Sequence, residues 1–146
     1  MDIWFTQHCG QSSYEQQDSL LINGQTYQSR NLAITLISAE GEQQLIGVAD
    51  GVSGSPSAAI ASRLILALLQ EACRNRQDLL DNGLVGVRLV RHACDSYREK
   101  LARRKTYAAA TTLAALHIRG NRAAMVNSGD SRVYRVRHRD GHKPDW

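Results

Sequence analysis

Apolar and polar positions change rhythm twice along this chain. Short apolar runs broken by polar turns come first. Ile3 to Thr6 and Ser19 to Ile22 read as short strands, and Asn23-Gly24 is a tight-turn signal that predicts a hairpin. Leu32 to Ser38 reads as a strand, Glu40-Gly41-Glu42 as its turn and Gln44 to Ala49 as its partner. These early strands are predicted to build one antiparallel sheet. A helical rhythm follows. Ser55-Pro56-Ser57 opens it, with Ser55 as N-cap and Pro56 at the first helical position, where no amide donor is needed. Ala58, Ala61, Leu64, Ile65, Leu68, Leu69 and Ala72 recur at three- and four-residue spacing, the mark of a core face. After a link at Asp78 to Gly83, a second helix is predicted from Leu84 to Arg104. Its inward positions are Val87, Leu89 or Val90, Ala93, Cys94, Tyr97 and Leu101. Strand rhythm then returns: Thr111 to Ile118, a turn at Arg119-Gly120-Asn121, Arg122 to Ser128 as its partner, and a further strand at Arg132 to Arg137. Strands, then two helices, then strands again predict an α+β fold.

Composition narrows the class. At 146 residues the chain is one domain or part of one, and 42% hydrophobic with 22% charged residues is ordinary globular content. No apolar run approaches the ~20 residues of a membrane span, so no membrane association is expected. Met1 to Gly10 lacks a basic stretch followed by an apolar one, so no signal peptide is read there. Much of the net charge of +4 lies in Arg98 to Lys105 and Arg132 to Arg139. Without interleaved aromatics these read as a solvated helix face and a polar strand end, not as a nucleic-acid surface. Three cysteines, Cys9, Cys73 and Cys94, form no CxxC pair, which points to reduced thiols and a cytoplasmic setting. The five histidines show no ligand spacing, and none is assigned a metal.

The candidate chemistry sits in two acidic turns. The apolar run Leu45-Ile46-Gly47-Val48-Ala49 ends in Asp50-Gly51-Val52-Ser53-Gly54, directly before the first helix. Such a turn holds a carboxylate at the rim of a core, where a metal or a phosphate can reach it. A second turn, Asn127-Ser128-Gly129-Asp130-Ser131-Arg132, ends another strand 80 residues later. Each has a plain alternative. Asp-Gly pairs are common turn formers, Asp130 could cap its turn by bonding nearby amides, and Arg132 could be an exposed strand residue.

Four pieces in order resemble the metal-dependent serine/threonine protein phosphatases of the type 2C (PPM) class, bacterial members above all. Glu15-Gln16-Gln17-Asp18-Ser19 resembles the early Asn-Gln/Glu-Asp element of that family. Val48-Ala49-Asp50-Gly51-Val52-Ser53-Gly54 resembles its Asp-Gly-x-Gly-Gly turn, Ala110-Thr111-Thr112-Leu113 its Gly-Thr-Thr strand start, and Asn127 to Tyr134 its Gly-Asp-Ser-Arg element. The resemblance spans nearly the whole chain but only about the N-terminal half of the family's domain. It implies part of an α/β/β/α sandwich of antiparallel sheets with two long helices. It also implies a Mn2+- or Mg2+-dependent hydrolysis of phosphoserine or phosphothreonine in a phosphoprotein substrate. By resemblance Asp50 would bridge two metal ions, the Gly51 carbonyl would coordinate one, Asp18 would act through waters, and Asp130 would support a third metal. Asp18 could equally be a plain strand-end residue.

Departures from the family pattern set further expectations. Ser13 stands where the family carries a phosphate-clamping arginine, and serine lacks that charged, two-pronged donor. Gln16 replaces asparagine, Ser53 replaces glycine, and the family's two later metal aspartates have no counterpart. The chain is therefore expected to be a fragment or shortened form with little or no activity by itself. Alternatively it is a pseudophosphatase-like binding or regulatory module. The uncovered sheet surfaces of half a sandwich predict a homo-oligomer or a completing partner.

Overall fold

The computed structural model describes residues 1–11, 14–55, 57–103 and 108–136. The strands are β1 (Asp2–His8), β2 (Asp18–Ile22), β3 (Gln25–Tyr27), β4 (Asn31–Ser38), β5 (Gln43–Asp50), β6 (Leu113–Arg119) and β7 (Arg122–Ser128). Helix α1 (Ala58–Asn75) and helix α2 (Val87–Arg103) lie between β5 and β6, joined through a short 3-10 turn at Gln77–Leu79. The fold is α+β. An antiparallel five-stranded sheet in the order β3-β2-β5-β6-β7 carries the helices on one face, and a separate two-stranded ribbon, β1 with β4, covers part of the other.

Strand alternation decides which side chain meets which layer. Leu21, Leu45, Ala49, Leu113 and Ala115 point to the helices. There they pack against Ile65, Leu66, Leu69 and Cys73 of α1 and against Leu89 and Ala93 of α2. Leu20, Ile22 and Ile46 point the other way, onto Ile3 and Phe5 of β1 and onto Leu32 and Ile37 of β4. The Phe5 and Tyr27 rings meet at 4.9 Å between centroids, tilted by 50°, which fixes the ribbon over the β2–β3 edge.

Several sequence expectations need correction. The β2–β3 hairpin at Asn23-Gly24 forms, but β4 does not pair with β5. It pairs with β1, so the early strands divide between two sheets. The turn around Gly41 reverses the chain without making a hairpin, because both edges of β5 are occupied by β2 and β6. Ser55 does not cap α1: its hydroxyl accepts the Ala110 N–H at 3.2 Å, and the helix starts after Ser57, which is left-handed at φ 63° and forms no side-chain cap. Pro56, the proposed first helical residue, lies outside the described residues.

The apolar stripe of α1 is buried as expected apart from half-buried Leu64, and Leu66 joins it. Helix α2 starts three residues later than predicted, since Leu84 and Val85 are buried in a loop closed by an Asp81–Leu84 bridge. Val87, expected inward, is 70% exposed because it opens the helix on its solvent side. Residues 132–136 form no strand. Ser131 is held by the Thr112 hydroxyl and the Asn127 side chain instead of by a strand ladder, and among the described residues no strand pairs with 132–136. Arg104, Arg137 and the basic tail that follows lie outside the described residues. No helix among the described residues is long and apolar enough to cross a membrane.

Candidate acidic site

The register of β2 against β5 sets Asp18 directly opposite Asp50. Both side chains fall on the face turned toward the ribbon, at the strand ends nearest the helix entry. Two carboxylates opposite each other repel, and the sheet relieves this only with a shared proton or a cation. The Asp18 pKa is raised from 3.8 to about 6. The largest cause is partial burial at the mouth of the cleft, followed by a hydrogen bond shared with Asp50 and by the charge of Asp50. Asp18 also lines a cavity of about 460 Å³ between the two sheets, whose apolar walls include Phe5, Leu20, Ile46 and Val48.

A frame of neutral polar groups holds the pair in place. Gln16 is buried, accepts the Asp18 N–H at 3.1 Å and donates to the Ser29 carbonyl at 3.2 Å. Gln7, also buried, donates to the carbonyls of Asp18 and Tyr27 and accepts the Ser29 N–H. Gln17 accepts the Ser53 hydroxyl at 3.0 Å through its side chain and the Gly51 N–H at 3.1 Å through its carbonyl. On the other flank, Thr112 accepts the Asp50 N–H at 3.0 Å and donates its own N–H to the Asp50 carbonyl at 2.8 Å. The Thr112 hydroxyl also meets Ser131 at 2.7 Å, which ties the first acidic turn to the second.

Gly51 has a packing reason to be glycine. A Cβ there would lie 2.2 Å from the Ala58 carbonyl oxygen and 2.5 Å from its carbon, so the turn passes directly under the first residue of α1. Thr112 N–H bonds the Asp50 carbonyl and Val52 N–H bonds the Ala110 carbonyl, so the Gly51 peptide groups turn the opposite way, toward β2. This carbonyl edge faces the strand that carries Asp18.

Asp130 follows Gly129, which has φ +106° and would clash with Thr112 if it carried a side chain. Asp130 is exposed, two residues past the end of β7, and does not join Asp18 and Asp50 in a group of three acidic side chains placed to hold a metal ion. No contact among the described residues joins it to either of the other carboxylates. The structure thus brings Asp18, Asp50 and Gly51 together and leaves Asp130 apart. Arg132 is exposed, with its guanidinium 3.3 Å from the Tyr134 hydroxyl. Ser13 lies outside the described residues.

Hard divalent cations take oxygen ligands, and two facing carboxylates with a nearby backbone carbonyl form a donor set of that kind. Such a cation would favour the charged form of both carboxylates. No group of three or more His, Cys, Asp or Glu side chains placed to hold a metal ion occurs among the described residues. Comparison with models of known protein families, with curated proteins and with solved structures finds no match to this chain.

In the sequence Gln16 stands out only as a departure from the resembled family's pattern, and Gln7 belongs to no motif. The signal for Gln7 was present, since Ile3, Phe5 and Gln7 occupy alternate inward positions of one strand and a polar residue there needs buried partners. Gln16 gave no comparable signal, because its burial depends on how residues 14–17 fold against Ser29.

Proposed function

We propose that this chain carries the acidic part of a metal-dependent phosphoprotein phosphatase site of the type 2C class, acting on phosphoserine or phosphothreonine with Mn2+ or Mg2+. The observation that supports this reading is the facing pair Asp18 and Asp50, set by strand register at the end of the sheet where the other matched elements also converge. When bound, the metal ions would activate a water for in-line attack on phosphorus and offset charge on the phosphoryl oxygens. Asp50 and Asp18 would hold them, with the Gly51 carbonyl on the same side. Gln16 and Thr112 would fix the backbone of the two carboxylates, and Asp130 would contribute at a more distant position.

A second reading is a pseudophosphatase-like module that binds a phosphoprotein or another subunit. It is favoured by the small number of ligands near Asp50 and by the open inner face over β5–β7. There Val48 is 40% and Met125 57% exposed, a face that a second copy or a completing partner would cover. No disulfide joins the three cysteines among the described residues, which fits a cytoplasmic setting.

The test is hydrolysis of an aryl phosphate by the purified chain with millimolar Mn2+, with EDTA and Asp50→Asn as controls. Turnover that needs Mn2+ and disappears in Asp50→Asn supports the phosphatase reading. Mn2+ binding without turnover, again lost in Asp50→Asn, favours the pseudophosphatase reading. Absence of both overturns the metal site.

A further inference from the structure

On the helix-facing side of β6, away from the acidic pair, His117 is 1% exposed and is held by groups from three other segments. Its Nδ1 accepts the backbone N–H of Val85 at 3.0 Å. A backbone amide can only donate, so Nδ1 must carry the lone pair and the ring proton must sit on Nε2. Nε2 lies 2.8 Å from the Gln43 amide nitrogen and 4.0 Å from the Cys73 Sγ. Two N–H donors cannot face each other, so we assign the Gln43 amide with its Oε1 toward the ring and its NH2 away. With the ring neutral, both nitrogens are then satisfied.

This arrangement rules out a cysteine–histidine nucleophile. Nε2 already holds a proton and cannot take one from Cys73, while burial pushes the Cys73 thiol up, away from the reactive thiolate.

We propose that His117 is a pH-operated latch: neutral, it holds the 81–86 loop against β6 through Val85, and protonated, it releases that hold at the start of α2. A proton added to Nδ1 would face the Val85 N–H, donor against donor, in a buried place. Among the described residues no carboxylate contacts the ring. From β5 the ring meets the neutral Gln43 amide, and from α1 it meets the Cys73 thiol. On its own strand Arg119 adds positive charge, and the loop carboxylate, Asp81, lies against Gly86. Burial first, and Arg119 second, hold the His117 pKa below its usual 6.5. The latch therefore contributes its full stability above pH 6.5 and loses it as pH falls below that value, where the unfolded chain takes up the proton more readily.

The loop stays tethered through carbonyls that do not titrate: Arg119 donates to Gly83 at 3.4 Å and Arg122 donates to Asn82 at 3.1 Å. Release is thus confined to Val85 and the first turn of α2. A cavity of about 300 Å³ lined by Gln43, Gln70 and Cys73 reaches the Gln43 side of the cluster and offers water a route in.

Nitrogen NMR of the imidazole, combined with amide exchange on the full chain from pH 8 to pH 5, tests the proposal. The expected result is an Nε2–H tautomer at pH 8. The protection factor of Val85 should then fall at least about tenfold in step with His117 protonation, while those of Leu66 and Leu69 hold. An Nδ1–H tautomer overturns the latch. So does Val85 protection that stays constant while His117 titrates, or a ring that stays neutral until the whole chain unfolds. His117→Gln supplies an amide oxygen that accepts without titrating, and its Val85 protection should be independent of pH. If pH dependence persists in that variant, the latch is also overturned. If the variant does not fold, the measurement on the unaltered chain still decides.

Discussion

The two faces of the five-stranded sheet are built from the same strands and do opposite things. On the helix side, Leu21, Leu45, Ala49 and Leu113 are almost fully buried beneath α1 and α2. On the ribbon side, burial fades along β5 itself, from half-buried Ile46 through partly exposed Val48 to exposed Asp50. The helix face closes on itself, mainly through apolar contacts, and its buried polar groups, His117 and the Ser19–Ser62 pair, are hydrogen-bonded within it. The ribbon face stops short of closing, and the carboxylate pair lies where it stops. Stability and chemistry thus occupy alternate residues of one strand, one position apart.

Substitutions can break this contrast. Leu66→Ala, beneath the sheet and fully buried, is expected to cost about 3 kcal/mol in urea unfolding, while Val48→Ala on the open face should cost under about 1 kcal/mol. Equal losses would mean that both faces carry the core. Gly51→Ala should cost about 2 kcal/mol, since its Cβ meets helix backbone that cannot swing aside as a side chain can. An unchanged melt would mean that the turn does not pass under Ala58.

The smallest effect has the opposite sign and sharpens the contrast most. The folded chain keeps the Asp18 proton up to about pH 6, while the unfolded chain releases it near 3.8. Folding takes up protons between these values, so this contribution to stability is complete below pH 3.8 and is lost as pH rises through 6. Asp18→Asn removes the loss. It should raise stability at pH 7.5 by on the order of 0.5 kcal/mol, and the gain should vanish near pH 3.5. A destabilised Asp18→Asn at pH 7.5 would show that the two carboxylates do not oppose each other.

Much of this architecture was legible in the residues. The β2–β3 hairpin, the β6–β7 hairpin and the buried stripe of α1 are local patterns, and each was read within a few residues. The partners of β4 and β5 were not legible. Pairing between distant strands depends on which edges remain free, and Leu32 to Ser38 carries nothing that distinguishes β1 from β5 as its neighbour. Ser55 was misread for a related reason: a hydroxyl before a helix signals a cap, but nothing in sequence shows that Ala110 comes close enough to claim it. At the site, Asp18 and Asp50 were named separately, and only the fold shows that they face each other. Thr112 was recognised as part of a motif, while its role as a double anchor for Asp50 emerges from geometry alone.

The cross-strand register has one more consequence. Sliding β2 by a single residue against β5 would set Gln17 or Ser19 opposite Asp50 and turn Asp18 toward the helices, together with Leu20 and Ile22. The same slip would lift Leu21 out of its place under α1. The chain therefore needs no separate instruction to assemble its acidic pair. Whatever secures the hydrophobic interior also aims the carboxylates, so drift in one cannot proceed without spoiling the other.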